Sequence, residues 1–241
     1  MKSIKYMLSA ACAVLFVTVG ALQAGEDKRP GGDKPVERAE KKDEAGKDDR
    51  AIVNAQKWSY PLTTCPISGE DLAVKHVDFV VNGRMVRTCC ADCQAKVVKD
   101  PVETIKKIDA AVITAQKANY PLTTCAVTDA KLDDKAMDYV VGTRLVRLAN
   151  RDAIAGFERD PKAAMAKIDA AYIKAQKDSY PVKKCIVSGE ALGGMGEPVD
   201  KLYGTTLVRF CCNACVKGFE KDSEKFMKEL ADARAKGPSK G

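Results

Sequence analysis

Eight of the ten cysteines fall into two sets built alike. Cys65 is followed, after a stretch long enough for a hairpin, by Cys89, Cys90 and Cys93 in "RTCCADC" (87–93). Cys185 is followed in the same way by Cys211, Cys212 and Cys215 in "RFCCNAC" (209–215). Thiolates select soft ions such as Cu(I) and Zn(II). A helix that begins inside such a run favours thiolate over thiol, because its free N–H groups and dipole stabilise negative charge. Cysteines three or four apart in a first helical turn share a face, and a hairpin can return a distant cysteine to them. Adjacent cysteines on a strand point to opposite sides, so three or four sulfurs at most converge. The candidate trios are Cys65 with Cys89 and Cys93, or Cys65 with Cys90 and Cys93. The remaining cysteine, water or a partner is left as fourth ligand.

Two other chemistries compete for these thiols. Disulfides would pair Cys65 and Cys185 with cluster partners in an oxidising compartment. Cys90-Ala-Asp-Cys93 and Cys212-Asn-Ala-Cys215 have redox C-x-x-C spacing, but no thioredoxin-like βαβ pattern surrounds them. Paired carboxylates, a nucleophile elbow and a phosphate loop are all missing at usable spacing, so the chain reads as non-enzymatic. His76, the only histidine, reads as a surface or packing residue.

The elements that must position these sulfurs recur. "AQKWSYPLTTC" (55–65), "AQKANYPLTTC" (115–125) and "AQKDSYPVKKC" (175–185) repeat at a period of 60 residues. "FVVNGRMVR" (79–87) and "YVVGTRLVR" (139–147) keep that period, while "LYGTTLVR" (202–209) lies two residues further on. Such self-similarity marks three tandem copies of one supersecondary unit. In each, Tyr-Pro (60–61, 120–121, 180–181) stops a preceding helix. A turn at Ser68-Gly69 or Ser188-Gly189 follows. Asn82-Gly83 between β-branched residues then predicts a hairpin, and the cysteine run spans a strand end and a short helix. Asp100-Pro101 and Asp160-Pro161 predict the start of a longer helix, with Pro at its first position. Apolar stripes are expected at Ile105, Ile108, Val112 and Ala115, and at Met165, Ile168, Tyr172 and Ala175. These helices run into the next "AQK", predicting helical linkers. Sixty residues make a small core, so a staple is expected, with the cysteines as candidates.

The middle copy keeps the frame and loses the sulfur. Ala149, Asn150 and Ala153 stand where the first copy has Cys89, Cys90 and Cys93, while Cys125 survives as a free or buried thiol. The cassette is therefore expected to fold without its cluster.

The ends read differently. Residues 1–24 have lysines at 2 and 5 and an apolar run ending near Ala24, the layout of a cleaved signal peptide. This predicts a secreted or periplasmic protein with no stable membrane insertion after cleavage. Loss of two lysines and no acids lowers the net charge from +7 to +5. Charges of both signs interleave with no basic, aromatic-rich face, which argues against nucleic acid as a partner. Nine cysteines then remain, an odd number that cannot all pair within one chain. Residues 25–50 are charged and nearly without apolar side chains, and read as a disordered spacer. The domain reading is repeat 1 over 51–111, degenerate repeat 2 over 112–171, repeat 3 over 172–235, and a flexible tail over 236–241. The fold class is α+β: three small modules, each a hairpin and cysteine cluster followed by a helix, joined by longer helices.

"KLYGTTLVRFCCNACVKGFEKDSEKFM" (201–227) resembles the YHS domain of the wider TRASH-like group of cysteine-rich modules. The likeness lies in Tyr-Gly, an aromatic before the cysteines, C-C-x-x-C, Phe219 and a capped final helix. Repeat 1 has Thr88 and Val97 where repeat 3 has Phe210 and Phe219, and Ser68 and Ser188 stand where some relatives carry a further cysteine. The resemblance covers each repeat. It implies heavy-metal handling, copper above all, with metal contact by Cys65, Cys89, Cys93 and by Cys185, Cys211, Cys215. It also implies a metal transporter or another metal-handling protein as partner. The expectation is an exported binder of Cu(I) or Zn(II) through Cys65, Cys89, Cys90, Cys93, Cys185, Cys211, Cys212 and Cys215. Buffering, delivery and resistance are the roles implied. The rival is a disulfide-stapled interaction array without metal.

Overall fold

A computed structural model describes residues 47–236. Residues 1–24, expected to be a signal peptide, most of the expected 25–50 spacer and the tail beyond 236 lie outside the described residues. Four residues of that spacer, 47–50, are helical and exposed. They belong to α1, helical over 47–56, which passes into a 3-10 turn at Lys57–Ser59. Tyr60 then leaves helical geometry at ψ 121, as a residue before proline must.

The architecture is α+β, with three hairpins each followed by helices. Repeat 1 holds β1 (Val77–Val81), β2 (Arg84–Thr88), α2 (Ala91–Lys99) and α3 (Val102–Gln116), a continuous helix that runs past the boundary expected at residue 111 and is counted with repeat 1. Repeat 2 holds β3 (Met137–Val141), β4 (Arg144–Leu148), α4 (Asp152–Arg159) and α5 (Pro161–Lys177). Repeat 3 holds β5 (Val199–Tyr203), β6 (Thr206–Phe210), α6 (Asn213–Lys221) and α7 (Ser223–Lys236). Each strand pair is a separate antiparallel two-stranded sheet. The β1–β2 turn has Asn82 at φ 51 and Gly83 at φ 71, the left-handed pair that a tight hairpin needs. The two extra residues of repeat 3 fall between Leu192 and Val199, because the Lys184–Ala191 bridge still matches Thr64–Asp71.

An isolated two-stranded hairpin is marginal in water. Here a glutamine and a tyrosine from the preceding "AQKxxYP" segment grip each one. Gln116 Nε2 donates to Thr143 O at 2.8 Å, and its Oε1 accepts from Leu145 N at 2.9 Å. Gln56 makes the same pair to Gly83 O and Met85 N, and Gln176 to Thr205 O and Leu207 N. Two residues along the same strand edge, the hydroxyls of Tyr60, Tyr120 and Tyr180 accept from Arg87, Arg147 and Arg209 N at 3.1–3.2 Å. The free edge of each second strand is thus occupied by side chains. Cross-strand ion pairs Asp78–Arg87, Asp138–Arg147 and Asp200–Arg209 reinforce the register.

The predicted stripes hold at their centres, Ile108 and Val112 in α3 and Ile168 and Tyr172 in α5, and shift by one position at their ends. α3 buries Thr104, Ile108, Val112 and Gln116, while Ala115 is exposed. α5 buries Ala164, Ile168 and Tyr172, and Ala175 is exposed. The stripe must end on the residue that reaches the next hairpin, so it runs at steps of four. Asp160 caps α5 through Ala163 N at 2.9 Å with Pro161 first in the helix, as the Asp-Pro pair predicts. α3 begins one residue later, at Val102, whose N–H donates to Asp100 Oδ1 at 3.3 Å.

The repeats share their cores. Phe79, Val86, Val97, Ile108 and Val112 of repeat 1 pack with Leu145 and Val140 of repeat 2. Leu202 of repeat 3 packs on the repeat 2 core around Leu148, Phe157 and Ile168. Repeat 3 also meets repeat 1. Trp58 and Tyr203 form an edge contact with centroids 6.4 Å apart, and Lys57 pairs with Glu224 at 3.3 Å. At Gly204 the backbones come so close that a Cβ would lie 2.8 Å from Trp58 C. Burial in a 60-residue cassette is therefore supplemented by its neighbours, which explains how repeat 2 stands without a sulfur staple. Among the described residues no helix is long and apolar enough to cross a membrane.

Candidate metal centres

The first cysteine of each set sits at the start of a closed turn. Gly69 N donates to Cys65 O at 2.8 Å and Cys65 N to Glu70 O at 2.7 Å; Gly189, Cys185 and Glu190 repeat the pattern. Gly69 takes φ 79, and in repeat 2 Asp129 fills that place at φ 59, a conformation Asp tolerates better than most residues. The turn aims backbone N–H groups at the sulfur. Burial opposes the Cys65 thiolate, but the Ser68 hydroxyl and the N–H groups of Ser68, Cys89 and Ile67 outweigh it and bring its pKa down to about 6. Cys185 is likewise brought to about 6 against burial, by the N–H groups of Cys211, Ser188 and Val187 and by the Ser188 hydroxyl. Cys125 is lowered by the same device, with Thr128, Ala149 and Val127 overcoming burial. The thiolate nest therefore belongs to the cassette, and repeat 2 keeps it.

The other sulfurs arrive from the β2–α2 and β6–α6 junctions. Cys89 follows the last strand residue and turns inward, whereas Cys90 and Cys212 are the extended residues that open α2 and α6, at φ −156 and −161. One helical turn on, Cys93 and Cys215 return to the same side. Cys65, Cys89 and Cys93 bring their sulfurs within 4.8 Å of one another, and Cys185, Cys211 and Cys215 do the same. Cys89 and Cys93 sulfurs are 3.7 Å apart, those of Cys211 and Cys215 3.6 Å. Tetrahedral thiolates bound at about 2.3 Å stand about 3.8 Å apart, whereas a disulfide bond measures about 2.05 Å. One edge of each triad, Cys89–Cys93 and Cys211–Cys215, thus already has the length found in a metal–thiolate polyhedron, and each triad could hold a metal ion.

Of the two candidate trios, the structure brings together the one containing Cys89. Cys65, Cys89 and Cys93 are buried, while Cys90 is partly exposed, its sulfur 3.7 Å from that of Cys89. Cys212 is also partly exposed, 3.9 Å from both Cys211 and Cys215, and Cys215 is more open than Cys93. The nine described cysteines are all free thiols. His76 stays outside: its Nδ1 meets Leu72 O at 2.9 Å, and its Nε2 lies 3.9 Å from Asp78.

Protonation within each cluster is uneven. Backbone N–H groups at the helix start, from Cys93 and from Cys215 and Ala214, lower Cys90 and Cys212 respectively. The Glu70 side chain holds a proton on Cys89, and burial raises Cys93 and brings Cys215 up to about 12. Three adjacent thiolates repel one another unless a cation sits between them. A metal ion entering either triad must therefore displace protons to solvent.

Sequence reasoning read Ser68 and Ser188 as departures from a pattern, yet their hydroxyls hydrogen-bond Cys89 and Cys211 sulfur at 3.2 and 3.4 Å. It missed Glu70 altogether. A signal for all three exists inside the chain: "SGE" accompanies the sulfur in repeats 1 and 3, and repeat 2 has Thr128-Asp129-Ala130. The emptied site of repeat 2 is finished in a different way. Asn150, at the place of Cys90, accepts from Ala153 N at 3.0 Å and caps the helix, while Ala153 and Leu148 are buried.

No family model matches the chain. No curated protein and no solved structure matches it either.

Proposed function

We propose that this is an exported, non-enzymatic binder of soft metal ions, holding one Cu(I) or Zn(II) in each of repeats 1 and 3. Metal buffering, delivery to a transporter or another metal-handling protein, and resistance are the roles that fit. Residues 1–24 act as its signal peptide, and the repeats are degenerate and intact versions of a YHS/TRASH-like module. Cys65, Cys89, Cys93 and Cys185, Cys211, Cys215 are the inner ligands, with Cys90 and Cys212 beside them.

One observation carries this reading. Two sulfur triads of matching geometry occur in a fold that repeat 2 attains with the cluster removed. A staple needed for folding could not be dispensed with in that way, whereas a cargo site can. The donors are all sulfur, which favours Cu(I) or Zn(II) over Mg(II) or Ca(II).

The test is anaerobic purification followed by elemental analysis and thiol counting on the denatured chain. Two metal equivalents, with all cluster thiols free after chelation, are expected. Metal-free protein with one titratable thiol, Cys125, overturns the proposal and leaves a disulfide-stapled interaction array.

A further inference from the structure

We infer that Cys90 and Cys212 are transfer ligands, through which the ion enters and leaves each buried triad on its way to and from a thiol-bearing acceptor. This deepens the reading above and rests on it. Five of the six inner cysteines are sealed, Cys65 at 2 % exposure, Cys89 7 %, Cys93 5 %, Cys185 1 % and Cys211 3 %, and only Cys215 is partly open. An acceptor sulfur must come within about 2.3 Å of the ion to bond it, which none can do through those side chains. In repeat 1 Cys90 alone of the cluster combines exposure at the rim with a sulfur neighbour inside the site, at 3.7 Å; in repeat 3 Cys212 does so at 3.9 Å from both Cys211 and Cys215, with Cys215 partly open beside it.

Both stand at the N-cap of a helix, anchored by backbone bonds from Gln94 N to Cys90 O and from Cys215 N to Cys212 O. The sulfur is therefore held against the site and has no search to make. A ligand so placed acts at an effective concentration far above that of a free thiol.

The exchange conserves charge and oxidation state. The rim thiolate bonds the ion as one inner metal–sulfur bond breaks, and the released inner thiolate takes a proton from solvent. An acceptor thiol then loses its proton to solvent, bonds the exposed ion and displaces the rim sulfur. The remaining inner bonds follow in the same manner, so protons released by the acceptor equal those taken up by the donor.

Repeat 2 supplies the control substitution. Asn150 is the cap the cassette uses when sulfur is absent, so Cys90→Asn and Cys212→Asn preserve the helix start. The full chain is loaded with Zn(II), and transfer to excess glutathione, with a zinc dye as final sink, is followed by stopped flow. The double Asn variant should retain two zinc equivalents while its transfer slows by about tenfold or more. Cys65→Ser should lose the repeat 1 ion. Transfer at the unaltered rate would make the rim sulfurs bystanders, and fewer than two bound ions would make them resident ligands; either result overturns the inference. If the unsubstituted chain takes up neither Zn(II) nor, under anaerobic conditions, Cu(I), the proposed function itself fails, which is a separate outcome.

Discussion

Replacing Gln116 by methionine tests the grip that ties each hairpin to the helix before it. Methionine nearly preserves volume and keeps the site dry, but it removes the amide that serves Thr143 O and Leu145 N. Both residues are fully buried, at 1 % and 0 % exposure, so no water can take the amide's place. An unsatisfied buried donor or acceptor costs about 1–3 kcal/mol, so Gln116→Met should destabilise the chain by about 2–5 kcal/mol. Gln56 makes the same two bonds at a half-buried position: Gly83 is exposed, so water can serve its carbonyl, whereas Met85 is fully buried, and Gln56→Met should cost about 1–3 kcal/mol for that one orphaned N–H. The assay is urea denaturation in reductant and chelator, which removes any metal contribution. For an ordered chain of this size each kcal/mol corresponds to about 2–4 °C in melting temperature, so calorimetry should place the Gln116→Met variant below the Gln56→Met variant. If they agree within about 0.5 kcal/mol, the buried amide is not what holds the hairpin, and the account of the array given above is wrong.

Three further outcomes are expected. Ala149→Cys with Ala153→Cys should build a third triad with Cys125, whose thiolate nest is intact, raising bound zinc from two equivalents to three by elemental analysis. An unchanged stoichiometry would show that the frame of repeat 2 does not hold the site. Burial pushes Tyr60, Tyr172 and Tyr203 from 10.0 up to about 12. Phenols raised in the folded state favour it fully below pH 10, and that contribution is lost as pH rises from 10 to 12. The urea midpoint should fall across that window, and tyrosine absorbance should show a late-titrating class rather than one step near 10. Phe157 is 3 % exposed at the centre of the repeat 2 core, and Phe157→Ala should cost about 3–5 kcal/mol in the same denaturation assay. A loss near that of a surface substitution would refute its central place.

Much of the cassette was legible because its signals are local. The Asn82-Gly83 turn, the Tyr-Pro stops and the Asp160-Pro161 start each depend on a few neighbouring residues, and each forms where expected. The choice between Cys89 and Cys90 was not legible. It depends on which side of the sheet the last strand position faces, and that alternation breaks at the step from strand to helix. The buried glutamines were hidden for another reason. Gln116 is polar and ends an apolar stripe, so periodicity placed Ala115 on the inner face; only the edge of the next hairpin makes the amide worth burying. Sharing of cores between repeats, as by Leu145 and Leu202, is a long-range property that a single cassette does not announce.

The position of the grips fixes where such a chain can be lengthened or cut. Each glutamine and tyrosine lies upstream of the strand it protects, and Gln116 and Gln176 close α3 and α5, helices that the preceding cassette also packs against. A duplication with its breakpoint inside the hairpin-to-cysteine stretch would leave two strand N–H groups bare, an edge prone to join another chain. A duplication beginning before "AQK" carries the protecting residues along and yields a complete new hairpin. Lineages that copied in this phase could add or silence sulfur triads one at a time, so their number in this architecture can change by whole units without a redesign of the scaffold.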